Sequence, residues 1–188
     1  MIALTLIVAS QPALAPALLY DRAAVVQGDY WRLWTGHLVH FGPSHLFWNL
    51  LVFALASIWV ERLAPARTRL LLALAPGVIG LALLALDPVL EIYGGLSGLA
   101  AAMLAFLALT QLAQKSGAPR PTSDRWFWRG VLALILIKIA VEFAVEQPLF
   151  ARFAPSGVRP VPLAHLMGFL TASLVHRRRS RLFPNRHG

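Results

Sequence analysis

The chain contains no cysteine, which excludes a thiol nucleophile, a disulfide staple and a thiolate metal site. Charge is scarce as well: 13% of the 188 residues are charged, with 8 Asp and Glu against 17 Lys and Arg. No repeat, low-complexity tract or long linker interrupts the sequence, so a single domain over residues 1–188 is expected. What the chain has in excess is apolar side chain, 58% of its residues, more than a soluble domain of this size carries. It therefore reads as a protein embedded in a bilayer, whose chemistry must come from hydroxyls and histidines.

Runs long enough to cross about 30 Å of hydrocarbon at about 1.5 Å per residue fall near 2–19, 45–61, 69–86, 96–113, 127–145 and 162–176. The expected fold class is all-α, a polytopic bundle of six transmembrane helices. A net charge of +9 would suit nucleic acid if it were gathered on one face, but most of the basic residues lie in short loops, so topology is the better reading and no nucleic-acid partner is expected. Arg62, Arg67 and Arg69, then Lys115, Arg120, Arg125 and Arg129, then Arg177, Arg178, Arg179, Arg181 and Arg186 alternate with loops holding only Arg22, Arg32, Arg152 and Arg159. The positive-inside rule then puts both termini in the cytoplasm and the 20–44, 87–94 and 146–161 loops outside. The first run lacks a basic flank, contains Pro12 and Pro16, and carries an ALAPA stretch that resembles a signal-peptide cleavage site. It is expected to be a spanning helix.

In this topology the outer ends of the second, fourth and sixth helices are N-terminal ends, and they hold His45, Ser97 and His165. Ser97 lies in the stretch GGLSGLAAAML, residues 94–104, in the first turn of its helix, where N–H groups lack intrahelical partners and the helix dipole favours negative charge. His45 and Asn49 are four apart and share one helix face. Gly94, Gly95 and Gly98 permit close backbone approach; Gly168 and Ala172 repeat the small-residue spacing on the sixth helix, so the two helices can pack backbone to backbone. A hydroxyl and an imidazole held within about 2.6–3.2 Å make a nucleophile and its general base. No carboxylate is evident at that depth, where a bare charge costs several kcal/mol, and a dyad is expected rather than a triad.

Three segments, WRLWTGHLVHFGPSHLFWN, GGLSG and AHLMGFLTA, resemble the signature regions of the rhomboid family of intramembrane serine proteases. The resemblance covers most of the chain. It implies Ser97 as nucleophile, His165 as base, and His45 and Asn49 as oxyanion-hole donors. It also implies motif positions at Trp31, Arg32, His40, Gly95, Gly98 and Gly168. Many members carry a tyrosine four residues after the serine that stacks on the base. Here that residue is Ala101, and Phe169 or Trp48 is the expected substitute. The segment YDRAAVVQGDYWRLWTGHLVHF is similar to the rhombosortase branch in particular. That likeness implies exported bacterial proteins as substrates, bearing a C-terminal GlyGly motif, a transmembrane helix and a basic tail. The expected place is then the bacterial inner membrane, with the active site toward the periplasm, and the expected partners are transmembrane-anchored proteins and the lipid bilayer.

Each residue also has a plainer reading. Ser97 alone would be a packing serine in a glycine-rich contact, and His45 with Asn49 would be interhelical glue. His37, His40 and His45 have no carboxylate or cysteine at a metal-site spacing, so no metal and no cofactor are expected; His40 reads as a brace of the external loop. Trp31 and Trp34 read as interfacial anchors, and His176 and His187 as solvated. Lys138 and Glu142, four apart inside the fifth apolar run, read as a mutual pair or as the border of a substrate access route. The rival function is a catalytically inactive rhomboid-like binder of transmembrane helices. A small transporter is disfavoured, because it would be expected to show an internal repeat or polar residues near the midplane of several helices, and only Lys138 hints at that.

Overall fold

A computed structural model describes residues 1–114, 122–145 and 160–177. The first apolar run departs from expectation. It forms a helix α1 at Ile2–Ser10, a 3-10 turn at Pro12–Leu14 and a short helix α2 at Ala15–Leu18. Pro12 and Pro16 each lack an N–H and crowd the preceding turn, so the run expected to be one helix over 2–19 breaks at Gln11, which takes φ −128° and ψ 77°.

The chain then builds a small layer that the all-α expectation lacked. Strand β1, Tyr20–Asp21, is followed by helices α3 at Arg22–Val26 and α4 at Arg32–Thr35, and by a 3-10 turn at Gly36–Leu38. Helices α5, Pro43–Leu63, and α6, Pro65–Leu86, come next, each with proline in its first turn, where the missing N–H costs nothing. Strand β2, Ile92–Tyr93, pairs antiparallel with β1, Tyr20 opposite Tyr93. Helices α7, Ser97–Ala113, α8, Thr122–Val145, and α9, Pro162–Arg177, complete the described fold. The starts and ends of these long helices fall within a few residues of expectation, the largest shift being α8, which begins at Thr122.

Helix α7 is the core. Leu99, Ala102, Met103, Ala105, Phe106 and Ala108 are fully buried on all its faces, the pattern of a helix enclosed by others. It packs against α5, α8 and α9, and α9 packs in turn on α6. The surrounding helices turn large apolar side chains outward: Leu55 is 64% exposed, Leu134 66% and Leu174 63%. Such a surface suits lipid rather than water. Helices α5 and α6 each have the length and apolarity to cross a membrane by themselves.

Two arginines from the loop expected outside tie the small layer down by satisfying chain-end carbonyls. Arg22 donates to Leu84 O at 2.8 Å and Asp87 O at 3.1 Å, at the end of α6. Arg32 donates to Pro16 O at 2.7 Å and Leu19 O at 2.9 Å, at the end of α2, and pairs with Asp29 at 2.9 Å. Trp31, 52% exposed, donates from Nε1 to Ala17 O at 3.2 Å, and Trp34 lies across Gly77 of α6. The stretches 115–121, 146–159 and 178–188, which carry many of the topology charges and His187, lie outside the described residues. His176, expected to be solvated, is half-buried and meets Phe106 edge-on at 6.1 Å between centroids.

Candidate active site

Three helix N-termini converge: those of α5, α7 and α9. The contact between α7 and α9 is backbone to backbone. A Cβ on Gly98 would stand 2.9 Å from Ala164 O, and one on Gly168 would collide with Gly98 O. Glycine is therefore required at both positions for the helices to meet, and Ser97 and His165 are the residues flanking Gly98 and Ala164. Ser97 opens α7, and the first intrahelical bond is Ala100 N–H to Leu96 O at 2.7 Å. The N–H groups of Ser97, Gly98 and Leu99 precede that bond, at the positive end of the helix.

Helix α5 brings His45 and Asn49 over the loop before the serine. Gly95 has φ +123°, a backbone that favours glycine, and a Cβ there would lie 2.7 Å from His45 Nε2 and 3.2 Å from Asn49 Nδ2. His45 Nδ1 accepts from Phe41 N–H at 3.2 Å, which fixes the tautomer and leaves the ring proton on Nε2, the atom facing Gly95. Asn49 is buried, and its Nδ2 has no hydrogen-bond partner among the described residues. Leaving such a donor unmade costs about 1–3 kcal/mol, a cost recovered when an oxygen is bound there.

His40 braces the same loop. Its Nε2 accepts from Leu96 N–H at 3.3 Å and its Nδ1 lies 3.2 Å from Leu38 O, so the neutral ring links the two segments. Burial, helped by the nearby His37, pulls His40 from 6.5 down to about 4, against the opposing Leu38 hydrogen bond. His37 is a core residue: Nε2 lies 3.2 Å from Pro76 O and Nδ1 3.3 Å from the Tyr93 hydroxyl. The Tyr93 hydroxyl donates to Gly95 O at 3.1 Å. Burial keeps this phenol protonated well above its ordinary range, opposed by the Ser97 side chain and the Gly98 backbone at its oxygen. Ser97 thus rests against Tyr93 and makes no hydrogen bond to His165 among the described residues.

His165 has a partner that the dyad expectation lacked. His165 Nδ1 and Glu142 Oε2 are 2.7 Å apart, and Lys138 Nζ donates to both oxygens of Glu142 at 2.7 Å. The Lys138–Glu142 pair expected from spacing is therefore formed, and it extends to the imidazole. Among the described residues no aromatic ring stacks on His165; Trp48 packs edge-on against Phe47 at 5.3 Å instead. The carboxylate holds the ring where a stacking aromatic was expected. The sequence signal was a charged pair in an apolar run, costly enough to suggest a third group.

The Rhomboid domain model matches residues 27–180. No curated protein matches the sequence. The matched span contains Trp31, Arg32, His40, His45, Asn49, Gly95, Ser97, Gly98, His165 and Gly168. The chain is an integral membrane protein and belongs to the rhomboid family, whose members are in general intramembrane serine proteases.

Proposed function

We propose that this chain is an active intramembrane serine endopeptidase, in which Ser97 attacks a peptide carbonyl and His165 serves as general base. The observation that carries the reading is the contact of Gly98 with Ala164 and Gly168, which sets the start of the serine helix against the first turn of the histidine helix. With Nδ1 engaged by Glu142, Nε2 of His165 is the nitrogen left to take the serine proton. A rotation of the Ser97 side chain away from Tyr93 delivers that hydroxyl; hydrogen bonds of catalytic groups are often long or misdirected until substrate arrives.

The steps balance as ordinary acyl transfer. The Ser97 oxygen bonds to the scissile carbon while its proton passes to His165. The carbonyl oxygen becomes an oxyanion facing the His45 Nε2–H, the Asn49 amide and the positive N-terminal end of α7. His165 then protonates the leaving amide nitrogen, and water, activated by the same ring, hydrolyses the acyl-enzyme. The substrate helix must unwind to offer a carbonyl, which glycine eases.

The domain we propose is a single six-segment membrane bundle over 1–188, with α1–α2 as its broken first segment and both termini cytoplasmic. It sits in a bacterial inner membrane with the site toward the periplasm. Its substrates are transmembrane-anchored proteins, and the rhombosortase likeness of residues 20–41 points to GlyGly-tailed exported proteins. Co-expression with such a protein, followed by mass measurement of the product's new C-terminus, tests this. Shortening that depends on Ser97 and is abolished in Ser97→Ala is expected. An unshortened substrate that co-purifies equally with wild type and Ser97→Ala would identify a helix binder instead.

A further inference from the structure

Two ionisable residues in an apolar helix need more explanation than their mutual attraction. Lys138 and Glu142 are four apart on α8 and would satisfy each other wherever they pointed, yet they point at α9. The Oε2 of Glu142 is shared between Lys138 Nζ and His165 Nδ1, each at 2.7 Å, and Lys138 Nζ stands 3.3 Å from that same ring nitrogen. The side chain of Glu142 is 3% exposed and that of His165 6%, whereas Lys138 remains 31% exposed. Among the described residues, the other ionisable group that acts on His165 is His45, from α5.

The resting charges follow from this geometry. A carboxylate that receives two short bonds from an ammonium group is ionised, so Nδ1 must carry the proton it shares with Oε2, and Nε2 carries a lone pair. Without Lys138, a buried Glu142 anion would be relieved most simply by a proton on His165, giving an imidazolium–carboxylate pair and a base already used up. With Lys138 the anion is balanced while the ring stays neutral. During acylation the ring gains the serine proton, and Glu142 is already in contact with the cation that forms.

We propose that Glu142 and Lys138 are positioning residues of the active site. Glu142 fixes the tautomer and orientation of His165, and Lys138 supplies the counter-charge that keeps the ring unprotonated at rest. The assignment rests on the proteolytic reading of Ser97 and His165, and it turns the expected dyad into a charge-balanced set on α8 and α9.

The test is the pH dependence of fluorophosphonate labelling of the full-length protein in detergent. Glu142→Gln removes the anion and unfixes the tautomer, so the labelling rate falls by about 10²- to 10⁴-fold and the acid limb of the remaining activity moves to lower pH. Lys138→Met removes the opposing cation, so activity at neutral pH falls while the acid limb moves to higher pH and activity returns under alkaline conditions. Glu142→Asp restores part of the lost rate. Opposite displacements of the two limbs are the expected signature; equal losses with unmoved limbs would overturn the proposal, because a purely structural pair predicts that. Nitrogen-15 histidine spectra of Ser97→Ala give a second reading that needs neither activity nor a folded Glu142 variant. A His165 ring protonated on Nδ1 alone at neutral pH supports the set, and a ring protonated on Nε2 alone overturns it. Failure of the wild-type chain to label would count against the protease reading, and the spectra would still decide the role of Glu142.

Discussion

Gly168→Ala adds one methyl group where α9 crosses α7. The new Cβ would collide with the carbonyl oxygen of Gly98, and Ala102 Cβ, one turn along the same face of α7, would lie 3.4 Å from it. A normal carbon–oxygen contact needs about 3.3 Å, so α9 must retreat by about 1 Å. Overpacking of this kind costs about 1–3 kcal/mol, and replacing an interior helical glycine by alanine returns about 1 kcal/mol, leaving a net loss of about 0–2 kcal/mol. The rate should suffer more, since about 1 Å of misplacement costs about 10²-fold and His165 lies one turn from the clash. Gly130→Ala is the control, because among the described residues nothing lies within 4 Å of its added Cβ; it should gain up to about 1 kcal/mol at unchanged rate. Thermal unfolding in detergent and the rate of fluorophosphonate labelling measure the two quantities. Wild-type labelling by Gly168→Ala would refute the claim that this contact sets the distance between the reacting groups.

Asn49→Leu keeps the shape of the side chain and removes a buried donor that has no partner among the described residues, so Tm should hold or rise while labelling falls by about 10²- to 10³-fold; a fall in Tm with unchanged labelling would contradict the oxyanion role. Acid should weaken the fold between pH 6.5 and about 4, the window set by His37 and His40. Both are held neutral when folded, so the unfolded chain binds more protons there, and stability present above 6.5 is lost as the pH falls. His40→Gln can still accept from Leu96 N–H but does not titrate, so its Tm should decline less between pH 7 and 4; a decline as steep as wild type would rule out His40 as a contributor.

The sequence made the helix starts legible because their determinants are local. Pro43 and Pro162 open helices close to the expected starts, while Pro65 opens α6 four residues before the expected 69; Ser97 lies two residues after a glycine pair, and His45 and Asn49 share a face by spacing alone. The small residues around Ser97 and His165 announced a close helix contact for the same reason. Glu142 was visible as a costly charge, but its partner lies 23 residues away on another helix, and that distance is set by how α8 rotates about its axis, which periodicity does not encode. The β1–β2 pair escaped notice because two residues per strand carry no alternation. The break in the first helix is signalled by Pro12 and Pro16, whose local effect on the backbone overrides the length of the apolar run.

The central claim is that Ser97 is a nucleophile activated by His165. The most direct measurement is the mass of the Ser97-containing peptide after treatment of the full-length, detergent-solubilised protein with a fluorophosphonate. The account predicts a phosphonyl adduct on Ser97 in the wild type, none in Ser97→Ala, and formation slowed at least about 10²-fold in His165→Ala. A folded wild-type protein whose Ser97 stays unmodified, or that labels as fast without His165, would contradict it.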